Sequence, residues 1–81
     1  MSAADKRRVF RQLHASGCFV IPNPWDLGSA RMLESLGFKA LATTSSGFAW
    51  SRARPDNGIT LELALAHLAE MVEGTSVPIN A

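Results

Sequence analysis

Ala40-Leu41-Ala42-Thr43-Thr44-Ser45-Ser46-Gly47, residues 40–47, indicates the fold class more directly than any other segment of the chain. It begins with an apolar run without polar alternation, which is typical of a strand covered on both faces in a parallel sheet. The run then changes into small hydroxyl residues and a glycine. Backbone N–H groups become free where such a strand ends, and they suit an anionic ligand. We therefore predict a binding site in the long loop that follows, residues 44–58.

Upstream of this stretch, the sequence predicts a helix, a strand and a second helix. Ser2 begins a capping pattern, which starts a helix over about residues 3–15. The continuous apolar run at residues 18–21 predicts a buried strand. Asp26 is well placed as the N-cap of the second helix, and Gly37 can take the left-handed conformation at its end.

Downstream of the loop, the sequence predicts a third helix and a further strand. Thr60 can cap this helix and Gly74 can end it. The apolar side chains predicted to face inward are Leu61, Leu65, Leu68 and Val72. His67 and Glu70 are predicted to lie on the opposite, solvated face. Residues 77–79 predict the start of the next buried strand.

The order of these elements is the α/β pattern, in which parallel strands are joined by helical crossovers. An open doubly wound sheet and a (β/α)₈ barrel share this order, and both bind ligands at the carboxyl ends of the strands. Three strands alone would leave two bare sheet edges, whereas a closed barrel has none. We therefore expect residues 1–81 to be a single partial domain, the N-terminal portion of a (β/α)₈ TIM barrel: a helix, then βαβαβ with parallel strands.

Composition limits the classes of function. The hydrophobic fraction of 47% and the charged fraction of 19% fit a folded globular protein, and no apolar run approaches the length of a membrane span. A formal net charge of +1 gives no indication of a nucleic-acid partner. Cys18 is the only cysteine, so the chain cannot form an internal disulfide. We expect a cytoplasmic protein without nucleic-acid or membrane partners.

Four blocks of the chain have a distinctive order and spacing: residues 23–31, 36–40, 43–56 and 77–81. Together they resemble the N-terminal third of the isocitrate lyase and phosphoenolpyruvate mutase superfamily, in particular its phosphonomutase-like or 2-methylisocitrate lyase-like branch. The resemblance implies a (β/α)₈ barrel that assembles as a homodimer or homotetramer. It also implies a lyase or mutase that uses Mg²⁺ and acts on a C–C or P–C bond of a small α-keto or 2-hydroxy carboxylate.

The resemblance implies specific site residues. In the family, backbone amides of the turn after the second strand hold the substrate carboxylate. This turn corresponds to Thr44, Ser45 and Ser46. The chain has threonine in place of the family's serine and serine in place of its glycine. Asp56 matches a family aspartate that lies close to the reacting group, which implies a catalytic polar contact. The residues leave two alternatives open: an ordinary hydroxyl-rich strand end at 44–46, and a turn in which Asp56 bonds its own backbone.

The resemblance implies Mg²⁺ as the cofactor, with ligands beyond Ala81, so no metal ligand is assigned within the chain. The leading hypothesis is therefore that the chain is the N-terminal part of a Mg²⁺-dependent lyase or mutase and supplies its carboxylate-binding loop. The 81-residue piece is expected to be inactive by itself. The alternative is a small non-catalytic α/β module that binds an anion or a partner through residues 44–56. Neither a G-x-G-x-x-G motif nor a P-loop is present to favour that module.

Overall fold

Four helices and two short strands make up the computed structural model, which describes residues 1–81. In chain order the elements are α1 (Ala3–Leu13), α2 (Leu27–Ser35), β1 (Leu41–Ala42), α3 (Ser45–Ser51), α4 (Leu61–Gly74) and β2 (Ile79–Asn80). β1 and β2 pair in parallel, and α3 and α4 form the crossover that such a pair requires. The predicted α/β class, with parallel strands joined by helices, is therefore confirmed. None of the helices has the length and apolar composition needed to span a membrane.

Side-chain caps fix the starts of the helices, as the sequence predicts. The Ser2 hydroxyl accepts a hydrogen bond from the Asp5 N–H at 3.1 Å, and the Asp5 carboxylate accepts one from the Ser2 N–H. Asp26 caps α2 by accepting a hydrogen bond from the Ser29 N–H at 2.8 Å, and Thr60 caps α4 in the same way. Each cap satisfies an N–H group that has no partner inside its own helix.

The core lies between α2, β1 and α4. Its fully buried members are Ala30, Leu41 and Met71. The partly buried side chains that pack around them are Leu27, Leu33, Phe38, Val77 and Ile79. Gly74 allows the end of α4 to approach α2, because a Cβ atom there would lie 2.9 Å from Leu27 Cδ2. The core is small, but it joins β1 to α2, which precedes it in the sequence, and to α4, which follows it.

The predicted strand at residues 18–21 is wrong, because this segment has no regular secondary structure. Cys18 and Val20 are exposed. A single backbone hydrogen bond links the end of the segment to β1, from the Ala42 N–H to the Pro22 carbonyl at 3.0 Å. A strand needs a ladder of such bonds, and β1 spans only two residues, so the apolar run forms no strand here.

The prediction of a long loop over residues 44–58 is also wrong, because the loop contains α3. Thr44 is the N-cap of this helix, and its hydroxyl accepts a hydrogen bond from the Gly47 N–H at 3.2 Å. The buried residues of α3 are Gly47, Phe48 and Ala49. Serine and glycine are weak helix formers, so the cap and the burial of this apolar turn determine the local structure. Ser45 and Ser46 accordingly lie in the first turn of a helix.

The buried face of α4 differs from the predicted one. The predicted inward residues that are exposed are Leu61, Leu65 and Val72. His67 and Met71 are buried instead, whereas Glu70 is exposed as predicted. Because α4 carries apolar residues on both faces, its periodicity could not identify the face that packs inward. His67 therefore lies inside the protein, opposite to the sequence prediction.

Lys6 joins α1 to the end of α4. Its Nζ donates hydrogen bonds to the carbonyls of Val72, at 2.8 Å, and Thr75, at 2.9 Å. A cation at this position also interacts favourably with the carboxyl end of the helix dipole.

We expect the substitution Lys6→Met, which keeps most of the alkyl chain, to lower the free energy of unfolding by about 1–3 kcal/mol, measured by urea denaturation. Arg7→Met is the matched control on the exposed side of the same helix, and it should change that free energy by less than about 0.5 kcal/mol. Equal losses in the two variants would contradict a specific role for the Lys6 contacts.

Candidate functional site

A small cavity lies at the carboxyl ends of β1 and β2. Its volume is about 140 Å³. Thr44, Ser45 and Phe48 line it from the start of α3, His67 lines it from α4, and Ala81 lines it from the end of β2. The carboxyl ends of parallel strands meet at one edge of a sheet, so the residues that follow β1 and β2 come together. The cavity is therefore where an α/β fold places a ligand.

Two backbone N–H groups at the start of α3 have no partner within the protein. They belong to Ser45 and Ser46, the first two residues of the helix, which have no helical carbonyl one turn before them. The next two N–H groups are satisfied: that of Gly47 by the Thr44 hydroxyl, and that of Phe48 by the Thr44 carbonyl at 3.0 Å. The Ser45 and Ser46 amides thus remain available to a hydrogen-bond acceptor.

The structure groups three of the four predicted site residues. Thr44 and Ser45 line the cavity, and Ser46 lies beside them, with its Oγ 3.3 Å from Thr44 Oγ1. Asp56 lies elsewhere, on an exposed turn in which its Oδ1 accepts a hydrogen bond from the Asn57 N–H at 3.1 Å. It does not line the cavity, and its local geometry is the turn that the sequence leaves open as an alternative. A catalytic role for Asp56 stays a prediction.

His67 is a cavity residue that the sequence interpretation missed. It is only 8% exposed, and its ring stacks on Phe48 with a centroid separation of 3.8 Å and an interplanar angle of 12°. Its Nε2 atom is buried and has no hydrogen-bond partner. Leaving a buried polar atom unpaired costs roughly 1–3 kcal/mol, and buried polar groups in folded proteins are otherwise almost always paired. This nitrogen therefore requires an explanation.

Burial lowers the pKa of His67 below its usual value of 6.5, because desolvation disfavours the charged imidazolium. The carboxylates of Glu70 and Asp26 act in the opposite direction, and their effects are smaller. Asp26 is itself held ionised, since its pKa is lowered by backbone and side-chain hydrogen bonds from Ser29. At neutral pH the His67 ring is therefore uncharged, with one nitrogen that donates and one that accepts.

Gly47 lets Trp25 pack against the first turn of α3. A Cβ atom at position 47 would lie 2.6 Å from both Trp25 Nε1 and Thr44 Cγ2, which is closer than real contacts allow. Trp25 in turn meets Trp50 edge to face, with ring centroids 5.7 Å apart. The absence of a side chain at position 47 therefore helps to fix where the free amides lie.

The residues present do not fit a magnesium site. Across residues 1–81, no group of three or more His, Cys, Asp or Glu side chains could hold a metal ion. The polar lining of the cavity consists of hydroxyl groups and an imidazole, whereas Mg²⁺ sites in proteins are built around carboxylates and substrate phosphates. The polar groups of this cavity can therefore form hydrogen bonds with a ligand but do not make a Mg²⁺ site by themselves.

Comparison with known proteins connects this geometry to a family. Residues 10–81 match the family described as phosphoenolpyruvate phosphomutase. The chain belongs to this family. The match extends over both strands, the cavity and all of the predicted site residues, and it confirms the superfamily resemblance found in the sequence.

Relatives from two bacterial genera support the same assignment. Two uncharacterized proteins of Mycobacterium tuberculosis, from strains CDC 1551 and H37Rv, are each 42% identical to the chain over 67 residues, which is 73% of this chain and 26% of each relative. A Burkholderia cenocepacia J2315 crystal structure of a candidate lyase/mutase superposes with a TM-score of 0.89 at 48% identity, covering 94% of this chain and 28% of that one.

A second crystal structure from the same organism, of a candidate phosphonomutase, superposes with a TM-score of 0.82 at 32% identity. The superposition covers 93% of this chain and 31% of the chain in that crystal structure. The chain thus spans roughly a quarter to a third of the length of these relatives. The likenesses confirm the fold class, the N-terminal portion of a barrel of the lyase/mutase type, and they make the chain a lyase/phosphonomutase-like protein.

The contact between Gly47 and Trp25 can be tested by adding one methyl group. We expect Gly47→Ala to lower the free energy of unfolding by about 1–3 kcal/mol, because the new Cβ displaces Trp25 or the start of α3. Gly28→Ala is the matched control in the first turn of α2, where the nearest atom lies at an ordinary 3.7 Å. Urea denaturation followed by tryptophan fluorescence measures both variants. A neutral Gly47→Ala variant would contradict the tight contact.

The burial of His67 predicts how stability depends on pH. The unfolded chain takes up a proton on His67 near pH 6.5, whereas the folded protein resists it, so the free energy of unfolding should fall as the pH is lowered from 7.5 to 5.5. His67→Phe should reduce this dependence, because phenylalanine does not titrate. The measurement is urea denaturation across that range. An unchanged pH dependence in the variant would show that His67 is not the group responsible.

Proposed function

We propose that the chain supplies the carboxylate-binding part of a lyase or phosphonomutase that acts on a C–C or P–C bond of a small α-keto or 2-hydroxy carboxylate. The observation that carries this proposal is the pair of unpartnered amides at Ser45 and Ser46, located directly after a strand at the carboxyl edge of the sheet. Two adjacent N–H donors match the two oxygens of a carboxylate, and charge-assisted hydrogen bonds of this kind are stronger than neutral ones.

Binding through the backbone is compatible with the residues found at positions 44–46. The family turn has serine and glycine where this chain has Thr44 and Ser45, but an amide N–H is present whatever the side chain. The Thr44 cap also fixes the direction of both amides. Preorganised donors of this kind stabilise negative charge that develops next to the carboxylate when a neighbouring bond is broken.

Further parts of the proposal are supported only by membership of the phosphoenolpyruvate phosphomutase family. They are Mg²⁺ as cofactor, a homodimeric or homotetrameric assembly, a cytoplasmic location and a polar contact from Asp56 to the reacting group. The cavity holds no set of metal ligands, so in this proposal the Mg²⁺ ligands come from outside residues 1–81. The enzyme hypothesis is preferred to a non-catalytic binding module because both structural neighbours are described as candidate lyase/mutase or phosphonomutase enzymes.

The proposal can be tested by removing one amide hydrogen. Ser45→Pro deletes the N–H at the first helical position, where proline is well tolerated, and Thr44 already has the extended backbone, φ −132° and ψ 120°, that a following proline requires. In amide NMR titrations with oxalate and with pyruvate, we expect the wild-type Ser46 resonance to shift with a dissociation constant on the order of millimolar. The proline variant should bind about tenfold or more weakly.

Two control variants separate the backbone from the side chains. Ser45→Ala keeps the N–H and removes the hydroxyl, so it should bind within about twofold of wild type, which is well below the loss expected for a charge-assisted bond. Asp56→Asn should leave the titration unchanged, since Asp56 does not line the cavity. Carboxylates that fail to shift the Ser45 and Ser46 resonances, or that bind the proline variant as well as wild type, would refute the proposed site.

A further inference from the structure

We propose that two copies of this chain associate through a two-fold symmetric contact, in which the exposed face of α4 in one copy packs into the α1 groove of the other. The α1 groove is a cavity of about 500 Å³, separate from the cavity at the strand ends. One of its walls is the face of α1 that carries Lys6, Arg7, Phe10 and Arg11. The other wall is formed by Val72, Pro78 and Ile79. This inference does not depend on the proposed carboxylate site.

The charge of the α1 groove is positive. Lys6, Arg7 and Arg11 line it, and no aspartate or glutamate does. Lys6 already donates to carbonyls at the end of α4, but Arg7 and Arg11 are exposed. Neither arginine forms an ion pair, since the one ion pair of the structure joins Arg8 to Asp5. Two unpaired guanidinium groups beside apolar side chains suit a partner whose apolar surface has an acidic edge.

The exposed face of α4 has such an edge. Leu61, Leu65 and Val72 are 74%, 56% and 38% exposed, and their positions, i, i+4 and i+11, lie on one face of a helix. Glu62 and Glu73 are also exposed, and each follows a residue of this apolar stripe by one position, so both lie along the same side of it. No lysine or arginine occurs in α4. The stripe and its edge are therefore complementary to the α1 groove.

The two surfaces form one continuous patch, because Val72 both ends the stripe and lines the groove. The patch has a basic half on α1 and an acidic half on α4. A two-fold axis through it brings the basic half of each copy against the acidic half of the other, which is the self-complementarity that a symmetric dimer requires. The stripe and α1 are each about 16 Å long, so one can lie along the other.

The size of the patch indicates a weak dimer. A standard stable interface buries about 800 Å² on each partner, which is more than two short helices offer. Burial of the exposed leucines favours association, and the charged edges set its orientation. We therefore expect a dissociation constant on the order of 10–100 µM at low salt. Screening of the charged edges should raise it about threefold to tenfold between about 50 mM and about 500 mM NaCl.

Sedimentation equilibrium of the 81-residue chain measures this constant. The solution is kept reducing, because the exposed Cys18 could otherwise cross-link two copies. A wild-type chain that stays monomeric at about 1 mM would overturn the inference and leave the patch to a partner other than a second copy. Association that strengthens with salt would also overturn it, since it would show that the charged edges repel each other.

Two charge-reversed variants test the surfaces directly. Arg7→Glu/Arg11→Glu makes both halves of the patch acidic, and Glu62→Lys/Glu73→Lys makes both halves basic. Each variant alone should associate at least about tenfold more weakly than wild type, because like charges then meet in both contacts. An equimolar mixture of the two should dimerise within about threefold of wild type, since both contacts of the mixed dimer join opposite charges.

The matched control is Lys39→Glu/Arg52→Glu, which makes the same change of charge at exposed positions outside the groove. It should associate as wild type does. A mixture of the charge-reversed variants that stays monomeric, although circular dichroism shows both to be folded, would overturn the inference. If either variant does not fold, the wild type decides: the amide resonances of Phe10, Leu61 and Leu65 should move on dilution, and resonances that stay in place overturn the inference.

The carboxylate site is tested separately in the same variants. Because the patch and the cavity at the strand ends share no residue, the oxalate titration of the Ser46 resonance should be the same in wild type and in all three variants. A wild type that dimerises but does not bind oxalate would refute the proposed function and support the inference. A wild type that binds oxalate but remains monomeric would do the reverse.

Discussion

The parallel pairing of β1 with β2 determines how the helices of this chain are arranged. Leu41 lies opposite Ile79 and Ala42 lies opposite Asn80, and a hydrogen bond from the Thr43 N–H to the Asn80 carbonyl at 2.9 Å extends the pairing beyond β1. Because the strands point the same way, the chain must return through α3 and α4 between them. That return brings the start of α3, the middle of α4 and the end of β2 to one edge.

The same pairing determines which face of α4 is buried. Met71 packs with Leu41 and Ala30, and His67 lies one turn earlier on the same side, where it meets Phe48 of α3. Three other apolar side chains of α4 are left exposed: Leu61, Leu65 and Val72. Met71 and His67 are the buried residues of this helix, and the Nε2 atom of His67 has no hydrogen-bond partner there.

Much of this fold could be predicted from the sequence, because its signals are local. The caps Ser2, Asp26 and Thr60 and the left-handed Gly37, with φ +98°, each follow from one residue and its immediate neighbours. α3 could not be predicted, since Ser and Gly disfavour helices and the burial that stabilises it is tertiary. The burial of His67 was missed for a related reason: α4 is apolar on two faces, and the tertiary contacts of Met71 with the core and of His67 with Phe48 select between them.

The candidate site divides into a part that sequence can indicate and a part that it cannot. The sequence indicates small hydroxyl residues at the end of a strand, and the amides of Ser45 and Ser46 are unpartnered there because these residues begin α3. A site built only from such amides recognises a carboxylate but cannot distinguish one short acid from another. Discrimination needs a side chain that reaches the ligand from another element, because a ligand without the matching group then leaves a polar atom of the site unpaired.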